Sequence, residues 1–364
     1  MKVAIIGAGI SGLSCAIELK KHGIIPTIFE KTKMLGDKPE YMVTALRIFH
    51  RSLRTPMVFF RNTYGITITP LFPLKELIMI TPNKTISTRG NHGFVFQKGL
   101  MENSLEHQLA SQSNVPIIFN ADVKIDAIKN GFDHIVVATG SNTVSMDLNL
   151  WTSTFIAKCR IATVTGSFKP KTMMMYLNKN YGNNGYGYLL PKNEREAEMV
   201  LSVSDITFSE LDYCWNEFID SENLRYPIIK SHDIEHIIGY PVACQVGNIY
   251  FTGNCGGMID DFLGFGMLRS IESGILAARA IVNDQDYNKL IAPFVKEVKE
   301  LHGYREMLNI LKNKDYDNYI SIIGLPGLKH MVYNNPFYKA KYGILAPKII
   351  TKFKSSKYMR FPKR

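Results

Sequence analysis

Three glycines near the N-terminus, in Gly7-Ala8-Gly9-Ile10-Ser11-Gly12, stand where binding of a phosphate would need them. Val3-Ala4-Ile5-Ile6 before them reads as a buried strand, and Leu13, Ala16, Ile17 and Leu19 after them recur at helical spacing. In such a turn Gly7 permits the tight bend, Gly9 lets the main chain approach a pyrophosphate, and Gly12 lets the helix pack on the strand. The helix N-terminus then faces the negative charge. Glu30 closes a second strand over 25–29, where its carboxylate can accept from a ribose diol and would repel a 2′-phosphate. A bare glycine turn is the alternative. Strand, turn, helix and acid in one unit favour a dinucleotide.

A second glycine-rich junction lies late in the chain. Gly253-Asn254-Cys255-Gly256-Gly257 and Gly264-Phe265-Gly266 follow a strand over 249–252 and open a helix over 265–282. With the first turn, these residues resemble the geranylgeranyl reductase branch of the FAD-dependent oxidoreductase superfamily that includes the aromatic hydroxylases. That branch carries GDxxG, then PxxGxG, then a helix with SG and AA. Here stand Gly253-Asn254, Gly257, Gly264-Phe265-Gly266, Ser273-Gly274 and Ala277-Ala278. Val137-Ala138-Thr139-Gly140 looks like the superfamily's central strand and turn. Gly185-Tyr186-Gly187-Tyr188-Leu189-Leu190-Pro191-Lys192 is similar to the reductases' aromatic substrate-domain motif.

The resemblance spans residues 1 to about 282 and implies FAD. It places Gly7, Gly9, Ile10, Ser11, Gly12, Glu30, Val123, Thr139, Gly140, Gly253, Asn254, Gly264, Phe265 and Gly266 about the cofactor, and Tyr186, Tyr188 and Pro191 in a substrate pocket. Arg47 is by position either a cation for the FAD ribose or phosphates, or a surface arginine. Three departures matter. Asn254 stands for an Asp, and its amide can still accept from a hydroxyl. Asp261 stands for a proline and reads either as a helix cap or as a charge near the ring. The DG motif with its Arg is absent after Gly140, which leaves the electron donor open between NAD(P)H and ferredoxin.

The elements that must position these residues read as an α/β chain. A Rossmann-type FAD-binding domain (1–46, 91–154, 241–285) carries an inserted, mostly antiparallel β substrate domain (47–90, 155–240) and a helical C-terminal region with a basic tail (286–364). A length of 364 residues suits two domains. Five scattered cysteines with no CxxC pair argue against zinc and against a disulfide scaffold and fit a reducing cytoplasm. No metal constellation is visible. The N-terminus does not read as a signal peptide, and no apolar run is long enough to span a bilayer.

No catalytic residue is identified: His50, His92, His107, His232 and His236 stand isolated and read as surface or packing residues, and Cys255 as a small buried side chain. Met173-Met174-Met175 with Tyr181, Tyr186 and Tyr188 could line an apolar pocket. The chain from 336 onward holds nine Lys and Arg and no Asp or Glu, interleaved with large apolar residues. That composition suits either a solvated tail or peripheral docking on an anionic membrane, and disfavours nucleic acid for want of a base-reading element. The activity expected is hydride transfer to or from carbon–carbon bonds of an apolar, isoprenoid or lipid-like substrate. The alternatives are a monooxygenase or halogenase acting on a small aromatic, and a non-catalytic flavin-binding protein at a membrane.

Overall fold

The computed structural model describes residues 1–37, 39–48 and 55–334. In chain order it runs β1 (Val3–Ile6), α1 (Ile10–Lys21), β2 (Thr27–Phe29), β3 (Tyr41–Leu46), α2 (Pro56–Tyr64), β4 (Phe72–Thr81), β5 (Lys84–Lys98) and α3 (Leu105–Ser113). Then come β6 (Ile117–Ile118), α4 (Ile125–Ile128), β7 (His134–Val137), α5 (Thr143–Asp147), β8 (Trp151–Thr165), β9 (Thr172–Tyr176), α6 (Lys179–Gly182), β10 (Tyr186–Pro191), β11 (Glu196–Ser204) and α7 (Phe208–Ser221). Last are β12 (Ile228–Pro241), β13 (Gln245–Val246), β14 (Ile249–Phe251), a 3-10 turn (Gly253–Gly256), α8 (Met267–Val282), α9 (Tyr287–Ile310), α10 (Asn313–Ile323) and α11 (Pro326–Asn334).

The first sheet has the order β13-β14-β7-β1-β2-β6 and is parallel except for the β13–β14 pair. Its strands are apolar on both faces because both faces are covered. Val3 and Ile5 join the cluster under α1 and α8, while Ala4 and Ile6 join the opposite cluster with Ile135, Val137 and Phe251. The Ser273-Gly274 pair has a packing reason. A Cβ on Gly274 would lie 2.0 Å from the Ser11 carbonyl oxygen, so α8 can lie against the start of α1 only with glycine there.

The second sheet, β12-β8-β11-β10-β9-β4-β5-β3, is antiparallel except for the β4–β9 pair. It shifts the expected domain boundaries. β3 pairs with β5 from Tyr41↔Lys98 to Leu46↔Gly93, so the substrate sheet claims 41–46 and 84–98 rather than breaking at 46/47 and 90/91. β8 begins at Trp151 and β12 ends at Pro241, a few residues outside the expected 155–240.

Three helices, α2, the short α6 and α7, interrupt the expected mostly antiparallel stretches. α2 opens on Pro56 inside the 41–89 stretch, and α7 spans 14 residues inside 155–240. A capping box between Thr207 and Glu210 starts α7, and Leu211, Trp215 and Phe218 form its buried stripe at positions i, i+4 and i+7. That stripe packs on Met199, Leu201 and Val203 of β11, and burial of each large side chain stabilises by roughly 2 kcal/mol. This covers one face of the second sheet and leaves the other to form a cavity wall.

Helices α9 to α11 are part of the body. Leu301, Ile320 and Ile323 complete a core with Leu74, Leu77 and Met79 of β4. The 286–364 region is helical as expected as far as residue 334. The basic tail from Pro336 to Arg364 and His50 lie outside the described residues.

Candidate active site

Gly7 and Gly9 sit between β1 and α1, and Gly12 in the first turn of α1, at the C-terminal edge of the parallel sheet, the crevice where such sheets bind ligands. Each glycine has a different reason. Gly7 has φ +107°, and a Cβ there would strike the Ala138 carbonyl at 2.4 Å. A Cβ on Gly12 would lie 2.1 Å from the Gly7 carbonyl oxygen, so helix and strand could not close. Gly9 is ordinary in backbone (φ −78°), and a Cβ there would meet nothing nearer than the Ala138 oxygen at 3.8 Å. The protein does not need Gly9 to be small; the space its missing side chain leaves is open. That is the cradle a pyrophosphate requires.

Glu30 ends the second strand as expected. Its carboxylate accepts from the Ala8 N–H at 2.8 Å, the Thr32 N–H at 3.0 Å and the Thr32 hydroxyl at 2.9 Å, which fixes it beside the turn. Ile10 and Ser11 are buried at the start of α1. Val123 packs against the Ala4–Phe251 cluster beyond β6. Thr139 and Gly140 follow β7, where Thr139 donates to the Ser141 carbonyl.

The late glycine segment meets the early one. A Cβ on Gly253 would lie 2.7 Å from Ser11 Oγ, so the two glycine segments converge on one cleft. The Asn254 amide donates to the Gly140 carbonyl at 3.3 Å, a bond an Asp there could not donate, and its carbonyl end can still accept. Cys255 is buried with its Sγ 3.3 Å from Ser145 Oγ, and burial pushes its thiol up to about 11, so it packs rather than reacts. α8 begins at Met267 with Gly266 as its N-cap, and Gly264 (φ +77°) stands exposed just before it. The positive end of α8 therefore opens on the space in front of the loop.

That space is a cavity of about 180 Å³ between the Gly264-Phe265-Gly266 loop and the uncovered face of the second sheet. Period-two alternation supplies the wall: Ala157, Cys159 and Ile161 from β8, Val200, Ser202 and Ser204 from β11, and Ile234, His236 and Ile238 from β12. Tyr186 and Tyr188 line it from β10, stacked at 6.3 Å with their planes 27° apart, and the Tyr186 hydroxyl donates to the Leu263 carbonyl at 2.5 Å. The segment Tyr41 to Thr44 closes another side, and Met42 N donates to both oxygens of buried Glu198 at 2.8 and 2.9 Å. Burial raises that carboxyl to about 7, against the lowering effect of the Met42 N–H.

The other expected residues fall in different places. Pro191 ends β10 paired with Ala197, buried in the sheet and outside the cavity lining, because the wall follows alternate residues. Of the Met and Tyr group, Met173 reaches the cavity, while Met174 and Tyr181 pack under α7 on the opposite face. Arg47 follows β3 at the sheet edge, its N–H donating to the His92 carbonyl. Asp261 is not a cap: it is buried, bonded to His302 Nδ1 on α9, and lines the cavity, and burial raises its carboxyl. His92 packs on Tyr333, and His107 bonds the Ser104 cap, as packing residues. His236, by contrast, faces the cavity.

Sequence reasoning missed Arg305, His302 and Glu198. Arg305 had a signal, since Val298, Leu301 and Leu308 of α9 make an apolar stripe at helical spacing and Arg305 interrupts it. Among the described residues, no group of three or more His, Cys, Asp and Glu is placed to hold a metal, and no helix is long and apolar enough to cross a membrane.

Residues 1–173 match the pyridine nucleotide-disulphide oxidoreductase family. No curated protein sequence matches the chain. Among solved structures, it is similar to a geranylgeranyl bacteriochlorophyll reductase-like protein from Thermoplasma acidophilum, with 15% identity over 97% of this chain and 98% of that one, TM-score 0.77. It is also similar to the flavin-dependent halogenase CmlS (12% identity, 98% and 78% covered, TM-score 0.62) and to a flavin-dependent brominase (14% identity, 98% and 100% covered, TM-score 0.62). The fold is that of the FAD-dependent oxidoreductases, and FAD is the dinucleotide that fits the open cradle at Gly9 with Glu30 beside it.

Proposed function

We propose, from the fold of FAD-dependent oxidoreductases and the FAD its cradle fits, that this enzyme moves hydride to or from a carbon–carbon bond of an apolar, isoprenoid or lipid-like substrate held in the cavity. The observation that carries the reading is the wall opposite Gly264: Ile161, Val200, Ile234, Ile238 and Met173 present hydrocarbon to the loop. When bound, FAD supplies the redox chemistry itself, and the protein's part is position and electrostatics. Gly7, Gly9, Ile10, Ser11 and Gly12 would seat the pyrophosphate, and Glu30 the ribose. Val123, Thr139, Gly140, Gly253 and Asn254 would flank the rest of the chain, with Gly264, Phe265 and Gly266 against the ring. Arg47 is kept as a candidate cation for the phosphate end. The start of α8 would favour negative charge on the ring edge nearest it, and the apolar wall would exclude water.

A second reading is a monooxygenase or halogenase on a small aromatic, which the stacked Tyr186–Tyr188 pair favours because a planar ring could lie against it. Product analysis separates the two. Reduced protein given farnesol without oxygen should yield a product gaining two hydrogens; oxygen-dependent turnover with label from ¹⁸O₂ in the product would overturn the first reading. NAD(P)H and ferredoxin both remain candidates for the reductant, to be compared in the same assay. The basic tail is proposed to dock the enzyme peripherally on an anionic, cytoplasmic membrane face, where an apolar substrate would reside.

A further inference from the structure

The mostly apolar wall of the cavity carries an arginine, Arg305, which shares the space with Asp261 and His236. Arg305 comes from α9, is 5% exposed, and lines the space together with Ser204 and Phe155. Its guanidinium is held in place rather than neutralised. Nη2 donates to Ser204 Oγ, Nη1 reaches the Phe262 carbonyl at 3.5 Å, and the plane lies over the Phe155 ring at 4.4 Å. Its buried Nε–H donates to nothing among the described residues.

No carboxylate pairs with it within ion-pair distance among the described residues. The two acids that act on it electrostatically are engaged elsewhere, Asp261 with His302 and Asp205 with the Ile156 N–H. A buried guanidinium with an unused donor and no carboxylate at ion-pair distance is costly unless something arrives to pair with it. A core arginine serving only the fold would be expected to spend its donors on the protein.

We infer that Arg305 is a specificity-determining residue that takes the anionic oxygen head of the substrate, so the molecule bound is an apolar body ending in a carboxylate or phosphate ester. The inference rests on the reading of this cavity as the substrate site. The Ser204 hydroxyl, which accepts from Arg305, keeps its own proton free to donate to the same head. The fork geometry of a guanidinium suits either oxyanion. The apolar wall of β8 and β12 then receives the hydrocarbon, and Arg305 fixes which carbon lies before the Gly264 loop.

The test holds the body constant and varies the head: farnesoic acid, farnesyl monophosphate and farnesol, titrated by calorimetry into the full chain. The expected result is at least tenfold tighter binding of one or both anions than of the alcohol. The stronger anion identifies the head. Arg305→Met should abolish that preference while leaving farnesol affinity within about twofold, and Arg305→Lys should restore part of it. Equal affinity of the three ligands for the wild type would overturn the inference whether or not the variants fold, as would a preference that survives Arg305→Met in folded protein. FAD absorbance is recorded in every sample. Loss of flavin binding by the wild type would strike the proposed function, while the head-group preference is read independently of it.

Discussion

The two ends of the candidate site are built on opposite principles. At the nucleotide end, what matters is the side chains that are missing: Gly7 and Gly12 admit backbone oxygens, and Gly9 leaves a gap for a ligand. At the cavity end, alternate side chains of several strands form the surface, Arg305 sits in it, and buried Glu198 lies behind it on Met42 N. The first end tolerates almost no change of shape and accepts one class of ligand. The second can exchange one hydrocarbon for another at small cost but is sensitive to each buried charge. Such a division lets one cofactor cradle serve many substrates.

The strongest way to break this comparison lies at the glycines. Gly9→Leu should leave the fold intact, because a Cβ there meets only open space, yet abolish FAD binding. Gly12→Leu should fail earlier, in folding, because its Cβ would fall 2.1 Å from the Gly7 carbonyl oxygen. Circular dichroism with FAD titration separates the outcomes. A Gly9→Leu protein that still binds FAD would contradict the assignment of the cradle.

The next effect belongs to the cavity end. Burial raises the Glu198 carboxyl from 4.5 to about 7, so between those values the folded protein keeps a proton that the unfolded chain has released. Stability therefore falls as pH rises through that window. Glu198→Gln removes the titration while its amide oxygen can still accept from Met42 N. By pH 8 the variant should be the more stable protein by up to about 3 kcal/mol, with the gain fading toward pH 4. Denaturant midpoints at several pH values check this, and parallel pH profiles for the two proteins would refute it.

A smaller effect attaches to Tyr186, whose hydroxyl ties the sheet to the Leu263 carbonyl. Tyr186→Phe should cost about 1 kcal/mol in unfolding stability with FAD still bound. A loss of FAD instead would mean that the loop, not the glycine cradle, dominates cofactor affinity. Removal of residues 337–364 should cost least within the body: FAD binding persists, and salt-sensitive binding to phosphatidylserine vesicles is lost. Equal binding of the full chain to neutral and anionic vesicles would remove the docking proposal.

The same contrast explains what the sequence made legible. The strand–glycine–helix–Glu30 unit is local, and each glycine answers a steric demand of its immediate neighbours, so it reads directly. The late Gly253 and Gly264 segment reads by the same logic. The second sheet reads in character but not in extent. β3 belongs to it only because it pairs with β5, a contact between distant residues that no local pattern announces. α7 was hidden because Phe208, Tyr213, Trp215 and Phe218 also suit a strand; the capping box at Thr207 and Glu210 was the better local sign. Pro191 shares a motif with Tyr186 and Tyr188 but lies outside the cavity, because pleating sends alternate residues to opposite faces. Arg305 lay in plain view on the apolar stripe of α9, but its meaning depends on the cavity that α9 happens to meet.

The central claim is that FAD lies in the glycine cradle with its ring facing the apolar cavity. It is tested most directly by adding FAD to the purified chain and then filling the cavity with farnesoic acid while following the flavin spectrum. The account predicts a bound flavin with a band near roughly 450 nm, which shifts in position and fine structure, saturably, as the ligand binds. A protein that stays colourless with FAD, or a bound flavin whose spectrum does not move when the ligand saturates, would contradict it.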